Sequence, residues 1–190
     1  MKIILATTSP HRIEAFKLLG IDFVAEGSKV NESGADRNNP EELVSELSRA
    51  KAEAVAKKHN DAIVVGMDSV GYFNGKILEK PKSREEAFGR LKFLSGKSHQ
   101  FYTGVYAVNT ASGKTISKVI KTEVHLREFS DNEIKNYLDQ DNFYNTYALG
   151  YDPLGHYSST FVEKIEGSYN NLLRGIPLEV FPDIFKELES

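Results

Sequence analysis

The chain has 190 residues, 24 Lys+Arg against 27 Asp+Glu, and a formal charge of −3. Its 40% hydrophobic and 27% charged residues suit one ordinary globular domain spanning residues 1–190, and the slight acidity argues against a general nucleic-acid binder while leaving room for a local basic pocket. The absence of cysteine excludes disulfides, a thiol nucleophile and Cys-ligated zinc.

The first apolar run, "KIILA" (residues 2–6), reads as a buried strand. It is too short for a secretory signal, and no later run approaches the roughly 18 apolar residues of a membrane span. The expectation is a cytoplasmic protein. Ser9 and Pro10 then give the N-cap and first position of a helix running to Leu19, with Gly20 as its stop. Residues 21–25, "IDFVA", suggest a second short strand, and residues 26–40 an exposed loop rich in Gly, Asn, Ser and acids. A second helix opens at Pro40-Glu41-Glu42 and runs to Lys58.

Residues 62–68, "AIVVGMD", read as a buried strand. "VGYF-NG-KIL" is a hairpin around Asn74-Gly75. Residues 83–94 form a helix. Residues 99–129 form a β-meander turning at 109–114. Ser130 and Glu133 mark a capping box. A loop around 150–155, a strand near 160–165 and a helix after Pro177 complete the chain. Helices interleaved with strands and long hairpins give an α/β fold with a mixed sheet.

Some residues sit where stability alone would not put them. The first turn after Ser9 carries His11 and Arg12, although the helix dipole favours acids there. At the second Pro-led start, the acids are present. The missing negative charge at the first start points to an anionic ligand. Lys51 falls within the apolar arc of Leu43, Val44, Leu47, Ala54 and Val55. It reads either as a lysine snorkelling off the core or as one aimed into a cleft. Asp68 ends a buried strand, where carboxylates line crevices in α/β sheets but also make ordinary turns. The hairpin returns Lys80 towards Asp68, as an ion pair or part of an anion site. Glu32, in the exposed loop, is a further candidate by its chemistry. No GxxxxGK[ST], GxGxxG or histidine metal motif is present.

In order, "LATTSPHRIEAF", the acidic "NE" at Asn31-Glu32, "KAEAVA", "GMDSV", "NGKILEKP", "LSGKSHQFYTGV" and "FVEKIEGSYNNLLRGIPLEV" resemble the Maf family of nucleotide pyrophosphatases along essentially the whole chain. The resemblance implies hydrolysis of nucleoside triphosphates between the α and β phosphates, with Mg²⁺ or Mn²⁺ as cofactor. It also implies an inosine-triphosphatase-like fold: an elongated mixed β-sheet flanked by helices, two lobes around a central cleft, in a homodimer. Thr7, Ser9, Arg12, Lys51 and Lys80 are then expected to bind substrate. Asp68, Lys80 and Glu32 are the expected catalytic residues, with Asp68 and Glu32 as metal ligands. Asp68 is general base or metal ligand.

The chain departs from the family at two places. "TYALGYDPLG" (146–155) stands where pyrimidine-specific members carry DKAGAYGIQG, with Leu154 at the glutamine, and His11 replaces the Arg or Trp of SPRR and SPWR. Base preference stays open between dTTP/UTP and 7-methyl-GTP. Asp152 is either a base or ribose contact or a turn residue. The alternatives are inosine-triphosphatase-like specificity and a nucleotide-binding regulator of cell division with little turnover.

Overall fold

The computed structural model describes all 190 residues, Met1–Ser190. Its strands are β1 (Lys2–Leu5), β2 (Phe23–Ala25), β3 (Ala62–Phe73), β4 (Lys76–Leu78), β5 (Ser98–Asn109), β6 (Thr115–Leu126) and β7 (Val162–Gly167). They form one seven-stranded sheet in the order β2-β1-β3-β5-β6-β7, with β4 paired to β3. β1 is parallel to β2 and β3, and the remaining pairs are antiparallel. The sheet is mixed, as expected. The helices are α1 (Pro10–Phe16), α2 (Pro40–Ala56), α3 (Arg84–Leu94), α4 (Asp131–Gln140), α5 (Tyr169–Arg174) and α6 (Phe181–Glu189). None is long and apolar enough to cross a membrane.

β3 organises the molecule. The two apolar pieces read separately in the sequence are a single strand, buried along nearly its whole length. Asn74 and Gly75 both adopt left-handed conformations (φ 49° and 78°), the geometry an Asn-Gly hairpin turn requires. Side chains alternate along β3. Val65 and Met67 join a core with Phe16, Phe181 and Ile184, while Val64 and Val70 face α2. A separate core of Leu91, Leu94, Tyr137, Tyr151 and Phe161 fills the other lobe.

α2 lies unusually close to the sheet. A Cβ on Gly66 would fall 2.2 Å from the Ser48 carbonyl oxygen, and one on Gly104 only 2.1 Å from that of Val44. Both are backbone contacts, which cannot swing aside. Gly104 pairs with Asp68 in the sheet register, so this close approach sets α2 directly over the carboxylate.

Some local boundaries differ from expectation. α1 tightens into a 3₁₀ turn over Lys17–Leu19 before Gly20 ends it. The strand expected near 160–165 starts later, because Tyr157–Thr160 is 3₁₀. α5 was not anticipated. At six residues it is too short to show helical periodicity, and only its Ser168 cap marks it.

Candidate active site

A cleft of about 840 Å³ opens between the two lobes. Its floor is the edge of β3. β1 pairs with β3 only as far as Val65, and β4 joins that same edge from Gly71. Residues 66–70 between them have no strand partner on this side.

Arg12 fills part of the gap. Its Nη1 donates to the Met67 carbonyl (2.9 Å), its Nη2 to Ser69 Oγ (2.8 Å) and its Nε to the Gly175 carbonyl (3.4 Å). Ser69 Oγ lies 2.8 Å from Thr103 Oγ1, which is fully buried. Three of the five guanidinium N–H groups are thus used as anchors, and two make no hydrogen bond within the protein. Burial lowers the Arg12 pKa, and the charges of Asp68 and Glu32 oppose that shift.

On the α2 side, Lys51 Nζ lies 2.6 Å from Asp68 Oδ1 and 2.8 Å from Glu32 Oε1. The Lys51 side chain is only 13% exposed. Of the two sequence readings, the structure selects the lysine aimed into the cleft. Asp68 is buried, and its second carboxylate oxygen makes no hydrogen bond within the protein.

Ser9, Arg12, Glu32, Lys51, Asp68 and Lys80 all line the cleft. Thr7 does not. Its Oγ1 accepts the Ser9 N–H (3.1 Å) and shapes the turn from β1 into α1. Ser9 caps α1 at a long 3.5 Å. Of the two readings for Lys80, an ion pair with Asp68 or part of an anion site, the ion pair is not formed: Lys51 from α2 holds Asp68, and Lys80 stands exposed without a partner. Asp152 acts as a turn residue, accepting the Leu154 N–H (2.9 Å) while bordering the cleft. The loop carrying Glu32 is tied to the segment after β4 by an Arg37–Glu79 ion pair.

Other lining residues escaped the sequence reading. Tyr147 faces His11 across the cleft mouth with ring centroids 5.8 Å apart. Burial and the nearby Asp141 and Asp152 raise its phenol pKa to about 12, so it is a neutral ring at physiological pH. Arg174, from α5, also lines the cleft. The signal for Ser69 was its place one residue after Asp68, which turns it to the opposite face of β3.

Glu32 and Asp68 touch the same ammonium, so their carboxylates share one small volume. No third Asp, Glu or His completes a group there. This donor set fits a hard divalent ion, which commonly takes one or two protein carboxylates and fills its other positions with phosphate oxygens and water.

The family model for "Maf-like protein" matches residues 2–188. A protein named dTTP/UTP pyrophosphatase from Thermoanaerobacter sp. (strain X514) is 41% identical over 98% of this chain and 96% of its own. One of the same name from Clostridium perfringens (strain SM101 / Type A) is 38% identical over 100% and 97%. The solved Staphylococcus aureus Ham1 protein aligns over 100% of both chains with a TM-score of 0.59 at 18% identity. That likeness extends to the fold alone: an open mixed sheet flanked by helices, as expected from the sequence.

Proposed function

The chain belongs to the Maf-like protein family, and from that premise we propose that it hydrolyses nucleoside triphosphates between the α and β phosphates, with dTTP and UTP as leading substrates. The observation that carries this reading is the convergence of Arg12, Lys51, Asp68 and Glu32 on one cleft. The names of the relatives support the pyrimidine preference.

In this reading the two free N–H groups of Arg12, together with Lys80, bind non-bridging phosphate oxygens. Lys51 holds Asp68 through one oxygen. The other oxygen takes a proton from the water that attacks the α-phosphorus. A water–phosphorus bond forms, the bond to the bridging oxygen of the β-phosphate breaks, and pyrophosphate leaves. Glu32 is the residue that would hold Mg²⁺ or Mn²⁺, joined by Asp68 if Asp68 serves as ligand in place of base, and the ion's charge would offset that of the polyphosphate. His11 and Tyr147 offer ring faces to the base.

The test is pyrophosphate release from a panel of dTTP, UTP, modified pyrimidine triphosphates, 7-methyl-GTP, ITP and XTP, with Mg²⁺, Mn²⁺ or a chelator. The expected result is metal-dependent release, led by dTTP and UTP. Tight nucleotide binding without any product would replace this reading with that of a regulator.

A further inference from the structure

Arg174 is the last residue of α5 and lines the cleft. Its Nε is enclosed from solvent and has no hydrogen-bond partner. The rest of its guanidinium makes no hydrogen bond, ion pair or ring contact within the protein. An enclosed donor without an acceptor is costly, and most other arginines here have found partners. Arg12 is anchored on Met67, Ser69 and Gly175, Arg127 on Thr160 and Glu133, and Arg84 on Leu138 and Asp139. A positive charge at a helix C-terminus is favourable, but that does not explain a cleft-lining guanidinium with no partner and an enclosed Nε.

Arg174 is also placed firmly. One turn earlier, Asn171 donates from Nδ2 to Thr122 Oγ1 (3.0 Å) and to the Phe101 and Ile120 carbonyls (both 3.3 Å). This pins α5 to β5 and β6. The next residue, Gly175, ends α5 in a left-handed conformation (φ 63°) and accepts Arg12 Nε. Arg12 is therefore anchored to the residue that directly follows Arg174.

The charges on the cleft floor cancel: Glu32 and Asp68 offset Lys51 and Arg12. A polyphosphate brings at least one negative charge per phosphate, more than a single divalent cation neutralises. Cations free of internal partners must supply the rest.

We propose that Arg174 is a phosphate-binding residue that clamps, together with Arg12, the phosphates that leave as pyrophosphate. It grips them from α5, a different wall from the one that carries Lys80. This rests on the pyrophosphatase reading for its substrate, but its test does not depend on turnover.

The experiment is calorimetric titration of the intact protein with inorganic pyrophosphate and Mg²⁺, comparing wild type with Arg174→Gln and Arg174→Lys. Melting curves and triphosphate KM and kcat are recorded alongside. We expect Arg174→Gln to weaken pyrophosphate binding about 10-fold or more and to raise KM more than it lowers kcat. We expect Arg174→Lys to recover part of both. The melting temperature of Arg174→Gln should hold or rise, because no internal partner is lost. Equal pyrophosphate affinity in wild type and Arg174→Gln, no pyrophosphate binding by wild type, or a fall in melting temperature with KM unchanged would overturn the proposal. If wild type turns over no triphosphate yet loses pyrophosphate binding on Arg174→Gln, the pyrophosphatase reading fails and the assignment of Arg174 stands.

Discussion

The floor of the cleft and its rim are built on opposite principles. On the floor every charge has an internal partner: Arg12 is tied to β3 and α5, and Lys51 bridges two carboxylates. At the rim, Lys80 and Arg174 have none, and the side chains of His11 and Tyr147 make a ring contact with each other and no hydrogen bond. A paired floor keeps its geometry before any substrate arrives, which phosphoryl chemistry rewards. An unpaired rim spends nothing on internal contacts and leaves its groups for the ligand. The contrast predicts that floor substitutions lower kcat or stability, whereas rim substitutions raise KM.

The largest effect should come from the floor. Asp68→Asn is expected to reduce pyrophosphate release between about 10²- and 10⁴-fold, with circular dichroism and melting little changed. Retained turnover would end the assignment of Asp68. Next is the packing beneath it. Gly104→Ala drives a methyl group into the Val44 carbonyl and should destabilise the fold by about 3 kcal/mol, a Tm loss of about 6–12 °C. Lys51 should then move off Asp68, so kcat should fall with stability. An unchanged Tm would show that α2 lies farther from Gly104 than the 2.1 Å approach to the Val44 carbonyl implies.

Acid tests the rim's support. His99 is fully buried beside Tyr151 (3.4 Å), and burial lowers its pKa to about 4 from 6.5. The unfolded chain takes up a proton below about pH 6.5 that the folded state refuses until about pH 4. The contribution of His99 is therefore fully present above pH 6.5 and is lost as pH falls through that window, by roughly 3 kcal/mol in all. Chemical denaturation from pH 7 to 4 should show this slope, and His99→Gln should flatten it. The smallest effect belongs to the aromatic pair. Tyr147→Ala should raise KM about 3–10-fold with kcat nearly constant, and Tyr147→Phe should change neither. A dominant kcat effect would move Tyr147 from rim to floor.

Much of the floor was legible in the sequence, because its signals are local. Arg12 contradicts the helix dipole in its own turn, Lys51 interrupts an apolar arc, and Asp68 terminates an apolar run. Which cation pairs with Asp68 was not legible. The hairpin brought Lys80 near Asp68, as an ion pair or part of an anion site, but the outcome depends on α2 settling onto Gly66 and Gly104, and nothing in a lone glycine within a strand announces a helix above it. The rim was least legible. α5 is too short for periodicity, and an arginine without a partner is recognised only once every possible partner has a position. The mixed sheet was legible from its runs and turns, although the continuity of β3 through residues 68–70 was not.

The contact between Arg12 Nε and the Gly175 carbonyl spans 163 residues of sequence. A chain leaving the ribosome folds its N-terminal portion first, and the residues of β1 and α1 are synthesised well before the segment that secures Arg12. β3 and α2 can bring Asp68 and Lys51 together while the C-terminal third is still being translated, but the guanidinium lacks one of its three anchors until Gly175 emerges. The cleft therefore matures last, and a nascent chain arrested before α5 would be folded in part yet unable to grip its ligand.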